Sequence, residues 1–509
     1  MAAPVLEETR ETPVAAGRGS VVLAAGIAAA FAVAHILTNG RYGFHRDELQ
    51  FLGDARHLDW GYVPYPPFTP FVEHIGLSLF GLWMIGLRLF SVIAQAVVIA
   101  VSALMARDLG GGRLAQIFTA VAVGLSPLPV FEATEFQYSS FDLLWWALIA
   151  WFTIRLLRDD EPRWWLAIGA VVGLGLQTKY SITFYIAGIL AGVALTGARK
   201  YLKSRCFWAG ITVALVIFAP NFVWLARHDF VSYRFLQHIH ARDVGLGRAD
   251  GFLWGQFLMD ANLFAAPVWV VGLIAFFRSR RYQMLAWMFV VPVALFWVGK
   301  GRFYYTCGAY PMVLAMGSAA WARWLADRPR WARVTVATVG FAGVALVGAI
   351  AWARIVPMAE SGPLREYALK NNGDLREEIG WDEMVKTVAA VRDSLPADEQ
   401  AHLGIAVGNY GEAGAIEILG PQYHLPAPIS TTNSWWLRGY PKTPPTTIIV
   451  LGNSEKRANQ LFTGCRLVAH NGNSFGVKNE ESEKHPDIFV CGPLRWPWEQ
   501  VWGKAEEFG

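Results

Sequence analysis

Charge is scarce in this chain. Of its 509 residues only 17% are Asp, Glu, Lys or Arg, while 54% are apolar; soluble domains carry about 25% charged residues. That shortage excludes an ordinary soluble globular protein. The formal net charge is +4, and the basic residues are scattered in short stretches between apolar runs, which excludes a nucleic-acid surface. Cysteine is scarcer still, with four in all, and none has zinc-finger spacing. No unit of 20–50 residues recurs, so repeat architectures are excluded. The GGGR turn at 110–113 lacks the G-K-[ST] ending of a phosphate loop.

Long apolar stretches are what the chain has in abundance. About 20 residues cross a bilayer as a helix, and such stretches lie near 20–38, 84–106, 114–130, 141–157, 163–178, 181–197, 206–226, 255–277, 282–299, 303–325 and 332–355. The reading is a polytopic α-helical membrane protein with about eleven spans. The 23 Trp and 16 Tyr suit its many membrane–water interfaces. Basic residues cluster in alternate loops: Arg107 and Arg113; Arg155, Arg158 and Arg163; Arg199, Lys200, Lys203 and Arg205; Arg278, Arg280 and Arg281; Arg323, Arg328, Arg330 and Arg333. The positive-inside rule places these in the cytoplasm, together with an N-terminal tail at 1–19. The first loop, about 39–83, the loops at 131–140 and 227–254, the turn at 300–302 and everything after 356 then fall outside.

From residue 356 to 509 no spanning stretch remains, and this length suffices for one domain. A helical pattern at 381–395 precedes apolar runs at 402–407, 447–451 and 487–491. That alternation predicts a small extracytoplasmic α/β domain. Cys465 and Cys491 both lie in it, where an oxidising compartment allows a disulfide. Cys206 and Cys307 read as small buried hydrophobes.

The titratable groups gather on one side of the predicted membrane. Asp47 and Glu48 follow the first span, flanked by His45 and Arg46 in YGFHRDELQFL. The segment behind them reads as a helix lying in the interface. Glu132 and Glu135 follow the third span and read as a solvated loop face, with Asp142 opening the next span. Lys179 lies at an outer junction, either paired with Asp142 or facing a ligand. Lys300 and Arg302 cap the last outer turn, as ligands or as snorkelling side chains. Ionisable groups at membrane depth usually line a cavity or pathway. His228, His238 and His240, in the 227–254 loop, have poor spacing for one metal-binding face, and that loop is expected to pack over the site.

The run YGFHRDELQFLGDARHLDWGYVPYPPFTPF resembles the first extracytoplasmic loop of bacterial membrane glycosyltransferases related to protein mannosyltransferases and to the aminoarabinose transferase of lipid A. These are GT-C type enzymes that use polyprenyl-phosphate sugars. The resemblance continues through FDLLWWAL, GLGLQTKYS, APNFVW and GKGRFYYTCGAYPMVLAMG, in family order over most of 40–325. It implies a GT-C fold for residues 20–355, Asp47 as the acidic catalytic residue with Glu48 beside it, and Lys179 near the donor phosphate. The stretch that usually reads K-P-Y-Y-L keeps Lys300 and Tyr304 but inserts Arg302, leaving the phosphate ligand open between Lys300 and Arg302. His45, Arg46, Glu135 and Asp142 would support the site.

The expected reaction is transfer of a monosaccharide from a polyprenyl-phosphate donor to a lipid, polysaccharide or protein acceptor of the cell envelope, at the outer face of the bacterial cytoplasmic membrane. It needs a base, positive charge for the departing phosphate and an apolar groove for the lipid. Glu48 would orient the acceptor or help bind a divalent ion, but two carboxylates give too few ligands to argue for one. A secondary transporter would keep its charges nearer the bilayer midplane, and a ligase or polymerase of lipid-linked glycans would need a larger outer loop.

Overall fold

The structure is a computed structural model that describes residues 18–509; the N-terminal tail expected at 1–19 lies almost wholly outside the described residues. Sixteen α-helices come first: α1 Arg18–Ile36, α2 Arg46–Ala55, α3 Phe68–Phe80, α4 Met84–Asp108, α5 Arg113–Gly124, α6 Pro127–Glu132, α7 Tyr138–Asp159 and α8 Trp164–Leu176, then α9 Ile182–Leu195, α10 Arg205–Arg227, α11 Val231–Gly245, α12 Phe252–Leu258, α13 Ala266–Arg278, α14 Gln283–Val298, α15 Tyr310–Ala326 and α16 Arg330–Ile355. The protein is a polytopic helical membrane protein.

Among the described residues five of these helices, α1, α4, α7, α10 and α16, are long and apolar enough to cross a membrane. Two bent pairs, α9 with the turn at Gly197–Lys203 and α12 with the segment through α13, raise the number to at most seven. A helix or helix pair stands at each of the eleven predicted stretches, but several are short, including α5, α8 and α14. The stretch expected at 114–130 breaks where α5 ends and Pro127 opens α6; proline lacks the N–H that would continue a helix but suits a first turn.

Small residues let these helices approach closely, as in membrane bundles generally. Gly272 on α13 and Gly317 on α15 face one another so tightly that a methyl group on either would collide with the other helix's backbone. One continuous apolar core, including Trp146, Tyr185, Phe276 and Met312, runs through the bundle.

Beyond α16 the chain forms a five-stranded sheet: β1 Leu403–Ala406, β2 Pro428–Ile429, β3 Thr447–Val450, β4 Arg466–His470 and β5 Asp487–Cys491, ordered β2-β1-β3-β5-β4. β1 runs parallel to β2 and β3, while β5 is antiparallel to β3 and β4. The three predicted apolar runs are the central strands, with Ile405 opposite Ile449 and Ile449 opposite Val490. Sequence reading misses the edges, because β2 has two residues and β4 is largely exposed and bulged between Leu467 and Ala469. Cys465 and Cys491 are joined by a disulfide that ties the start of β4 to the end of β5.

The helix after Asp47, α2, does not lie in a lipid interface. Residues 48–55 are all buried, because α2 is clamped between α3 and the C-terminal helix Tyr410–Leu419. The clamp is close: Gly414 sits against the Leu49 carbonyl, where a side chain would not fit.

Candidate active site

The site begins with a helix cap. His45 ends an extended segment and accepts the Asp47 amide through Nδ1, while Glu48 reaches back to accept the His45 amide at 2.8 Å. This capping box starts α2 abruptly and points the two adjacent carboxylates in different directions.

Glu48 turns inward. Its Oε1 accepts from Arg88 Nε and from the Phe136 amide, both at 2.8 Å, and its Oε2 accepts from Arg88 Nη2 at 2.6 Å. Only 1% of either side chain is exposed. Arg88 also donates to the carbonyls of Asn39 and Gly43, so it fixes the whole approach to α2. Every acceptor position of Glu48 is thereby committed within the protein, which argues against the expected role in orienting an acceptor or binding an ion. Among the described residues no group of three or more His, Cys, Asp or Glu could hold a metal ion.

Asp47 turns the other way and stays partly exposed. It accepts from the Tyr410 hydroxyl at 2.7 Å through Oδ1, and Gln137 lies 3.5 Å from Oδ2. Burial pushes its carboxyl up, but His45, the Tyr410 hydroxyl, Arg46 and Gln137 together hold it below the usual range, so it is ionised near neutral pH. It has no ion-pair partner among the described residues.

Gln137 is followed by Tyr138, which opens α7 and forms one wall of a cage. Within it the Lys179 ammonium lies 4.9 Å from the Tyr138 ring centre, 4.5 Å from that of Tyr305 and 5.7 Å from that of Tyr304. Tyrosine faces attract a cation without neutralising it. Lys179 makes no ion pair with Asp142, which instead accepts from Trp146 Nε1 at 3.1 Å and from Ser181.

Arg302 joins the cage through Tyr304, donating to its hydroxyl at 3.0 Å. Its Nε and Nη2 are held by Asp243 of α11, both at 2.6 Å. Burial would raise the Asp243 carboxyl, but Arg302, Arg248 and Arg242 hold it down. The expected loop at 227–254 is therefore largely helical, and α11 reaches the site through this one carboxylate. Lys300 is exposed and in the left-handed region, φ 51°, so of the two open phosphate ligands the geometry brings Arg302 to the cage and leaves Lys300 outside.

Glu132 and Glu135 are not a solvated face; both are buried, Glu132 bonded to Ser139 and Ser140 and Glu135 beside His45 and Gln137. Burial pushes the Glu135 carboxyl well above the usual range. Arg46 pairs with Glu480 and Glu481 of the C-terminal part and lies 4.8 Å over the Tyr410 ring, away from the cage. Sequence reasoning missed Arg88, Asp243 and Tyr410. A lone arginine inside an apolar stretch was signal enough for Arg88, but nothing in the sequence links Tyr410 to a residue more than 360 positions earlier.

Known proteins resemble this chain in part of its sequence and in its fold. Residues 64–224 match the family described as dolichyl-phosphate-mannose-protein mannosyltransferase, a segment that includes Lys179 but not Asp47. The lipid A galacturonosyltransferase RgtD of Rhizobium johnstonii is 29% identical over 263 residues, 50% of this chain and 54% of that protein. The undecaprenyl phosphate-alpha-4-amino-4-deoxy-L-arabinose arabinosyl transferase 1 of Pseudomonas fluorescens is 26% identical over 279 residues, 50% of this chain and 49% of that protein. The chain thus matches about half the length of these curated relatives. The crystal structure of ArnT from Cupriavidus metallidurans bound to undecaprenyl phosphate superposes over 94% of this chain and 98% of its own, with a TM-score of 0.55 at 16% identity. The chain thus has a segment that matches this family's model, within a fold that is, over nearly its whole length, similar to that of ArnT.

Proposed function

We propose that this protein is an integral membrane glycosyltransferase that moves a monosaccharide from a polyprenyl-phosphate donor to an acceptor in the cell envelope. The observation that carries the reading is a separation of charge. Asp47 and Lys179 each lack an ion-pair partner among the described residues, and they flank the same wall, Gln137–Tyr138. Their charged neighbours Glu48, Arg46, Arg88 and Arg302 are all paired. An ionised acid and a cation outside any ion pair, on either side of one aromatic wall, are what a displacement at an anomeric carbon needs.

In this mechanism the acceptor hydroxyl gives its proton to Asp47 as its oxygen bonds to the anomeric carbon. The bond from that carbon to the phosphate oxygen breaks, and polyprenyl phosphate leaves with the electron pair, held by Lys179, Arg302 and Tyr304. A single displacement inverts the anomeric centre. The relatives whose names specify lipid A and undecaprenyl phosphate support that class of acceptor and donor here. The same reading puts the site and residues 356–509, as a soluble domain, on the extracytoplasmic face of the bacterial inner membrane.

The test is transfer by the purified protein from undecaprenyl-phosphate sugars, compared with nucleotide sugars, for wild type and Asp47→Asn. Turnover from the lipid-linked donors alone, lost in the variant, is expected. Turnover by Asp47→Asn at the wild-type rate would remove Asp47 as base. Orientation is tested separately by Glu455→Cys, which an impermeant thiol reagent should label on intact cells.

A further inference from the structure

We propose that the C-terminal domain completes the active site, with Tyr410 acting as a positioning residue that sets the orientation of the Asp47 carboxylate. The inference rests on the reading of Asp47 as the base. Oδ1 is fixed by the Tyr410 hydroxyl at 2.7 Å, whereas Oδ2 has only the 3.5 Å contact with Gln137. Oδ2 is therefore the oxygen left to receive the acceptor's proton. A carboxylate free to rotate would present that lone pair only part of the time, and small misplacements of reacting groups are costly.

Tyr410 is itself held from three directions. It is the first residue of the helix Tyr410–Leu419, whose cap Asn409 accepts the Glu412 amide at 2.9 Å. Arg46 covers its ring, and Arg46 is in turn anchored on Glu480 and Glu481. The same helix packs along α2, where Gly414 meets Leu49. One rigid joint thus sets both partners of the hydrogen bond. The charged and titratable groups around Asp47 are His45 and Arg46 on its own segment, Tyr138 beside Gln137 at the start of α7, and Tyr410 with Glu480 from the C-terminal part.

The experiment is the pH profile of transfer by the full-length protein for wild type, Tyr410→Phe, Asp47→Asn and a form carrying 3-fluorotyrosine at 410. A base must be unprotonated, so activity falls as pH drops through the Asp47 pKa. Removing the hydroxyl takes away a hydrogen bond to the ionised form. In Tyr410→Phe the acid limb should move up by about one pH unit and kcat should fall about ten-fold, with the donor KM unchanged. The more acidic fluorophenol is a stronger donor, so its acid limb should move down, which a packing role alone would not produce. A wild-type acid limb and kcat in Tyr410→Phe, beside an inactive Asp47→Asn, would overturn the proposal and leave the base in place. An active Asp47→Asn would instead overturn the base assignment. Should Tyr410→Phe fail to fold, the fluorotyrosine form decides, and an unmoved limb there counts against the proposal.

Discussion

Arg88 and Glu48 form a two-pronged ion pair, Nε to Oε1 at 2.8 Å and Nη2 to Oε2 at 2.6 Å, with both side chains 1% exposed. Of the two adjacent carboxylates, Glu48 is therefore a structural anchor, while Asp47, outside this pair, is the proposed base. Removing one member of a buried pair leaves the other charge uncompensated, at a cost of about 3 kcal/mol or more. Glu48→Gln should unfold at a clearly lower temperature in detergent, whereas Asp47→Asn, which breaks no ion pair, should melt close to wild type. Equal melting temperatures for the two variants would contradict this division.

The tyrosine cage predicts a binding phenotype for Lys179. Lys179→Ala should weaken binding of polyprenyl phosphate by about ten-fold or more, the scale of a charge-assisted contact. Lys300→Ala should leave binding unchanged, because that side chain is exposed and outside the cage. Binding to the purified variants by titration calorimetry checks both; equal losses would return Lys300 to the phosphate site.

Glu378 predicts a pH dependence of stability. Its side chain is buried, hydrogen-bonded to no protein group, and 3.5 Å from Arg88. Burial pushes its carboxyl up to about 8, Arg88 opposing and Glu135 and Glu48 adding to the rise. Between its ordinary value and about 8 the folded form binds a proton that the unfolded form has lost, so stability falls as pH rises through that window. Glu378→Gln should therefore gain melting temperature relative to wild type at pH 8 and gain little at pH 4.5. A gain that is the same at both pH values would show that Glu378 does not titrate there.

The disulfide closes a loop with a sequence separation of 26, and constraining such a loop in the unfolded chain is worth about 3 kcal/mol. Replacing Cys465 and Cys491 together by Ser should lower the melting temperature of the C-terminal part and its resistance to protease. Transfer activity at low temperature should persist, since neither residue is among the groups that hold Asp47. Loss of activity with unchanged protease resistance would indicate a role beyond the staple.

Much was legible in the sequence because the bilayer imposes it. Length and apolarity placed a helix or helix pair at every predicted stretch, and alternation located the three central strands, since residues buried on both faces must be apolar. The adjacent acids of YGFHRDELQFL, Lys179 and Arg302 stood out because charge so close to apolar spans needs a reason. What the sequence could not assign was partnership. Whether Glu48 is a reagent or an anchor depends on Arg88, 40 positions away; whether Arg302 or Lys300 joins the cage depends on Asp243; and Tyr410 reaches Asp47 only because the C-terminal domain docks on α2. Burial of α2 has the same origin, since its exposed-looking polar residues meet partners from a distant part of the chain. Local pattern fixes which segments are helices and which residues are costly to bury. Only tertiary packing decides which charges are neutralised and which are left free to act.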